Sequence, residues 1–102
     1  MLQRAVIAEF MGSFIFFSII VIAIQKYDII KCPVPIAVSF GLLAGLLIAV
    51  PMSGGHLNPA VSIMSILYDP SNTSKYCLYI LAQLLAAILV VFFVRGWYLG
   101  VN

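Results

Sequence analysis

The sequence predicts an all-α integral membrane fold, with three transmembrane helices and one re-entrant half-helix in a single membrane domain over residues 1–102. Composition is the first reason. Of the 102 residues, 65% are hydrophobic and 8% charged, where an ordinary soluble domain carries about 45–50% apolar and about 25% charged residues. So short a chain has no core large enough to hide that surface, and lipid is its expected solvent. The second reason is the presence of three apolar stretches long enough to span a bilayer. The third is an interruption between the last two, where a glycine turn, a histidine and an Asn-Pro helix start stand in an otherwise apolar segment. The net charge of +2 comes from five basic and three acidic residues, scattered along the chain. That leaves no basic run suited to nucleic acid.

The first span is expected at about residues 5–24, where Glu9 is the one charge. The charged start before it, Met1-Leu2-Gln3-Arg4, resembles a secretory signal. The apolar run is too long for that, and no small-x-small cleavage site precedes Gln25, so a retained helix is expected. Gln25 to Pro33 is a short polar connection whose final proline suits a new helix start. The second span follows at about 34–50, closed by Pro51, and the third at about 76–94, with Gln83 as its main polar residue. Each is near the roughly 20 residues that about 30 Å of hydrocarbon requires.

The segment at about 51–68 is of another kind. Gly54-Gly55 permits a sharp turn with positive φ, Asn58 suits an N-cap and Pro59 suits the first helical position. The helix then runs through Ala60 to Tyr68 and is stopped by Asp69-Pro70. Ten residues at about 1.5 Å each give roughly 15 Å, half a bilayer core, so this is a re-entrant half-helix and not a fourth span. Irregular backbone at that depth is tolerated where it is buried in protein or lines a water-filled cavity. The Asn58 end carries unpaired N–H groups and the positive end of the helix dipole. An extended Gly54-Gly55-His56-Leu57 backbone is expected to leave successive carbonyls free along one wall. Central donors with acceptors leading to them make a path for small neutral polar molecules and oppose cations.

Other residues have two readings each. Glu9 either reaches back to headgroups or turns inward to accept bonds from the re-entrant segment. The Gln83 amide is expected to bond to the backbone of the half-helix. His56 is a pore-wall or structural residue, since no second ligand stands at metal-site spacing, and neither a metal nor a cofactor is expected. Ala37, Gly41 and Gly45, Ala8 and Gly12, and Ala82 and Ala86 form small-residue faces suited to close helix packing. Cys32 and Cys77 fall near the ends of different segments and are read as packing residues without a disulfide.

The run Ser53-Gly54-Gly55-His56-Leu57-Asn58-Pro59-Ala60-Val61 resembles the first signature loop of the aquaporin and glycerol-facilitator (major intrinsic protein) family. Ala8-Glu9-Phe10-Met11-Gly12-Ser13-Phe14 is similar to the family's first-helix pattern, Ser39-Phe40-Gly41-Leu42 to the second, and Tyr79-Ile80-Leu81-Ala82-Gln83 to the third. The resemblance implies half of an aquaporin-like fold, in which Asn58, Pro59 and Ala60 start the half-helix and Asn58 is the central pore amide. Gly54, Gly55, His56 and Leu57 would form the carbonyl wall, and Glu9 and Gln83 would brace the loop. Phe40 would match the aromatic that narrows the outer selectivity region. Three departures stand out. Phe40 to Asn58 is shorter than the family pattern, Ala86 stands where glycine is usual, and the sequence given ends after the third helix. The second half of the family normally supplies another Asn-Pro-Ala followed by arginine, whereas Val61 follows here.

The expected function is therefore a channel half for passive permeation of water or a small neutral solute, working in a lipid bilayer. It would self-associate or join a complementary second-half chain. One competing reading is a small proton-coupled exporter acting as an antiparallel dimer through Glu9, against which the Asn-Pro-Ala loop argues. The other is a non-conducting truncated or regulatory fragment. With the N-terminus inside, Arg4 and Lys75 lie inside while Lys26, Lys31 and Arg95 lie outside. That distribution gives no positive-inside bias to fix one orientation.

Overall fold

The computed structural model describes residues 1–100, and among them there is no strand. Helix α1 spans Leu2–Gln25, a four-residue α2 spans Tyr27–Ile30, α3 spans Val34–Ser53 and α4 spans Pro59–Tyr68. A 3-10 turn at Pro70–Asn72 leads into α5, Thr73–Leu89, whose last turns continue as a π-helix over Val90–Tyr98. Three helices are long and apolar enough to cross a membrane, Leu2–Gln25, Val34–Ser53 and the continuous run Pro70–Tyr98, while Pro59–Tyr68 is apolar but shorter.

The helices differ from the expected bounds in ways that have physical causes. Pro51 does not close α3. It lacks the N–H that the preceding turn would have received, yet the Gly54 N–H bonds to the Val50 carbonyl at 3.1 Å and carries the helix past it to Ser53. The connection after α1 is partly helical, because Tyr27–Ile30 closes one turn before Lys31 reverses the chain at φ 56°. The third span starts earlier than Tyr76, since Asp69 organises the turn before it. Ser71 Oγ and Asn72 Nδ2 donate to its two carboxylate oxygens at 2.7 and 2.8 Å, and Tyr76 Oη adds a third bond at 3.2 Å. These donors hold the Asp69 carboxyl below its ordinary pKa, Asn72 first and then Ser71.

Helix α1 lies between α3 and α5, and α4 packs on α5. Two ridges of α1 meet the two neighbours. On the α3 side, Gly12 faces Gly45 so closely that a Cβ on Gly45 would sit 2.7 Å from the Gly12 carbonyl oxygen. On the α5 side, Ala5 packs with Tyr76 and Tyr79, and Glu9 meets Gln83. The interior is mainly small or polar, with Tyr79, Leu57 and Val90 among its large exceptions: Ala5, Ala8, Glu9, Gly12 and Ser13 of α1 are buried, with Ser62, Ser65 and Gln83. Large apolar side chains such as Leu47, Leu67, Phe92 and Trp97 point outward. Between helices in lipid, close backbone approach and hydrogen bonds do the work that burial of apolar surface does in water. That division of residues suits such a solvent.

Candidate functional site

In the loop between α3 and α4 the positive φ expected at Gly54-Gly55 is present, and Leu57 departs from the extended backbone expected of it. Gly54, Gly55 and Leu57 have φ of 91°, 75° and 54°. The first two positions suit glycine. Leu57 is the unusual one, because a left-handed leucine is strained and persists only where its surroundings over-determine it. The surroundings here are specific. Its side chain is fully buried at the crossing of α1 and α3, with Cδ2 and Cδ1 at 2.8 and 2.7 Å from where Cβ atoms on Gly12 and Gly45 would lie. Its N–H donates to Glu9 Oε1 at 2.8 Å.

Glu9 is the anchor of the whole loop. It is fully buried, so the inward reading applies and the headgroup reading does not. Its Oε2 accepts from the Ser53 hydroxyl and from the His56 N–H at 2.9 Å. Its Oε1 accepts from the Leu57 N–H and from Gln83 Nε2, each at 2.8 Å. Four donors from three parts of the chain thus converge on one carboxyl group, and none of them carries a formal charge. Gln83 is placed as a brace in a different way from expectation. Its amide reaches Glu9 and, at 3.2 Å, Ser62 Oγ of the half-length helix, bonding side chains and not the α4 backbone.

His56 turns away from the loop into a second cluster. Its Nδ1 lies 2.8 Å from Ser62 Oγ and its Nε2 3.5 Å from Ser65 Oγ. Ser65 Oγ also donates to the Val61 carbonyl at 3.0 Å and lies 3.3 Å from Tyr68 Oη, and Ser62 Oγ accepts from Gln83. Tyr76 and Tyr79 flank the ring at centroid distances of 5.2 and 5.1 Å, the second edge-on. Lys75 Nζ caps both tyrosines at 5.5 and 6.0 Å, a cation–π arrangement. Tyr79 Oη donates to the Ser53 carbonyl at 3.0 Å and so closes the end of α3.

Ser53, Ser62, Ser65, Tyr76 and Tyr79 complete the arrangement, and the sequence reading did not single them out for it. The available signal was spacing, since Ser62 with Ser65 and Tyr76 with Tyr79 each stand three apart, on one helix face.

Asn58 caps α4. Its Oδ1 accepts from the Ala60 N–H at 2.9 Å, with Pro59 as the first helical residue. The side chain is exposed, and among the described residues nothing bonds its Nδ2. The N–H groups of Gly54, Gly55, His56 and Leu57 all have partners, namely the Val50 carbonyl, Ser53 Oγ and the two Glu9 oxygens. No hydrogen bond among the described residues ends on the carbonyls of these four residues. The Leu57 and His56 side chains point into the protein; Leu57 is buried whole, main chain included, while Gly54, Gly55 and His56 keep exposed surface. Phe40 is exposed near the start of α3, about 20 Å along the helix from the loop by helical rise, and the structure does not bring it to the Asn58 group.

Comparison with known proteins agrees with this geometry. A family model described as major intrinsic protein matches residues 1–102. The chain is 34% identical over 88 residues to aquaporin-5 of Sus scrofa, covering 83% of this chain and 33% of that protein. It is 35% identical over 108 aligned positions to aquaporin PIP2-1 of Arabidopsis thaliana, with 92% and 38% covered. To aquaglyceroporin-2 of Rhizophagus irregularis it is 43% identical over 86 residues, with 78% and 27% covered. The chain thus spans roughly a third of the length of the curated relatives it matches. No solved structure gives a match. A signature loop held by Glu9 and Gln83, an all-helical apolar fold and a family match along the whole sequence agree: this chain belongs to the major intrinsic protein family and is an integral, multi-pass membrane protein.

Proposed function

We propose that the chain forms one half of a channel through which water or a small neutral solute passes without energy input. The observation that carries this is the one-sidedness of the Gly54–Leu57 backbone: its N–H groups are consumed by the protein and its carbonyls are not. Those carbonyls lead to the free Asn58 amide at the positive end of α4. Acceptors followed by donors suit a molecule that is both, and water precedes glycerol in the expected order of permeants. Glu9, sealed behind four donors, gives the proton-coupled exporter no accessible carboxyl group.

The half-length helix is re-entrant in this reading. Ser53 at the end of α3 and Lys75 near the start of α5 line one pocket together with Met1, so the segment between them starts and finishes at the same end of the bundle. Single cysteines at the exposed positions Met52 and Ser71 are expected to react with an impermeant label from one side only. Labelling of the two from opposite sides would turn α4 into a full crossing.

The other wall of the pore is supplied by an inverted second copy or by a complementary second-half chain bearing the filter arginine. Membrane transporters pair inverted repeats about a site near the midplane. Reporter fusions at both termini decide between them, because one orientation in every copy rules out the antiparallel pair. Liposomes holding this chain alone are expected to shrink faster under osmotic shock than empty ones and to carry no ionic current. A steady cation current would overturn the neutral-solute reading. Asn58→Asp keeps the Oδ1 cap and replaces the free amide with a carboxylate oxygen, so folding should survive while water flux falls. Unchanged flux would remove Asn58 from the path.

A further inference from the structure

Among the buried polar side-chain atoms without a partner are Ser13 Oγ of α1 and Gln83 Oε1 of α5. Both residues are fully buried. The two helices run parallel and in register there, since Ala5 packs against Tyr79 and Glu9 bonds Gln83, each pair one helical turn from the next. The next rung on α1 is Ser13, and on α5 it falls at Ala86 and Ala87. Helical side chains lean toward the N-terminus of their own helix. The Ser13 hydroxyl therefore leans back toward the Glu9 turn, whose side chain meets the Gln83 amide. The orientation of that amide is fixed. Its Nε2 donates to Glu9 Oε1 and Ser62 Oγ, and a flipped amide would press two acceptors together. Gln83 Oε1 is thereby turned away from the brace and into the interface.

We propose that Ser13 Oγ and Gln83 Oε1, with the main-chain carbonyl of Glu9, hold one internal water molecule in the α1–α5 interface, separate from the permeation path. The chemistry selects the ligand. Gln83 Oε1 requires a donor, and the single Ser13 hydroxyl proton serves only one acceptor at a time. A ligand that gives two protons, accepts one and is no larger than a methyl group is water. Buried waters characteristically bind two to four otherwise unsatisfied polar groups. The neighbouring α5 residues are small, since Ala82 and Ala86 present only methyl groups and are buried. The water would support the brace from behind, by holding the Gln83 amide in the orientation that Glu9 and Ser62 need.

The test is a high-resolution structure of the full chain in lipid, with water–protein magnetisation transfer to the Gln83 side-chain amide as a second measurement. A density peak within about 3.2 Å of both Ser13 Oγ and Gln83 Oε1 is expected, together with transfer from a long-lived water. Ser13→Ala should abolish the peak and the transfer while the Gln83–Glu9 bond remains. A direct Ser13–Gln83 bond, a Ser13 bond to the Glu9 carbonyl with no peak beside Gln83, or an undiminished peak in Ser13→Ala would each overturn the assignment.

Discussion

The two sides of the Gly54–Leu57 backbone are chemically opposite although they belong to the same four residues. On the inner side every N–H is tied, two of them to Glu9. The carbonyls receive no hydrogen bond among the described residues and the exposed Asn58 amide is likewise free, although Leu57 itself keeps no surface. The difference shows that the outer surface is set from within. A free glycine-rich loop would satisfy its own carbonyls by turning, but here left-handed residues and a shared carboxyl anchor hold them apart from any internal donor. Rigidity on one side is what leaves the other side open.

Four changes break or sharpen that contrast. The largest effect is expected from Glu9→Ala, which strands the His56 and Leu57 N–H groups, the Ser53 hydroxyl and Gln83 Nε2 at once. A buried donor left unsatisfied costs about 1–3 kcal/mol, so with several stranded at once thermal unfolding in detergent should fall sharply. A shift no larger than that of an exposed substitution would mean the loop holds itself. Gly45→Ala comes next. Its Cβ would meet the Gly12 carbonyl at 2.7 Å, and forcing helices apart costs typically 1–3 kcal/mol. It should also free Leu57, visible as faster hydrogen exchange at the Leu57 amide.

Tyr79→Phe removes one neutral bond to the Ser53 carbonyl and is expected to cost about 0.5–1.5 kcal/mol, with little change in the His56 ring packing. The smallest effect is acid sensitivity at the start of α5. The Asp69 carboxyl is held below its ordinary value by Asn72 and Ser71. Its contribution is therefore complete above the ordinary carboxylate pKa and is lost as pH falls through the lowered one. Asp69→Asn should flatten that part of the stability–pH profile, and an unchanged profile would show that the turn does not depend on the charge.

Much of this was legible in residue types. A carboxylate inside an apolar helix has few reasons to exist, which singled out Glu9, and a glutamine deep in another span singled out Gln83. The Asn-Pro pair announced a capped helix start. What was not legible lies in side chains that have several uses. A serine in a membrane helix bonds its own backbone as readily as a neighbour, so only the spacing of Ser62 and Ser65 and the place of Ser53 in the signature run set them apart before the fold brought them to Glu9, His56 and Gln83. Pro51 misled for a related reason: a proline in the last turn removes one bond, and the Gly54–Val50 bond beyond it kept the helix going. The loop carbonyls were anticipated, but the way they are freed was not. Extended backbone was expected, whereas the φ of Leu57 is left-handed because its side chain is lodged at the α1–α3 crossing.

The Glu9 hub also sets a timetable. A ribosome makes Glu9 long before its partners, since Ser53, His56, Leu57 and Gln83 follow by 44, 47, 48 and 74 residues. At roughly 5–20 residues per second, the gap to Gln83 lasts on the order of 4–15 s. For that time the first helix carries a carboxyl group without its full set of donors, in a medium where an acidic residue at mid-span costs about 2.5–3.5 kcal/mol to insert. Its position near the start of the helix leaves it within reach of the interface while it waits. The re-entrant segment can settle only when α1, α3 and α5 stand side by side, so the group that holds the finished loop also makes α1 depend on a helix, α5, that emerges well after it.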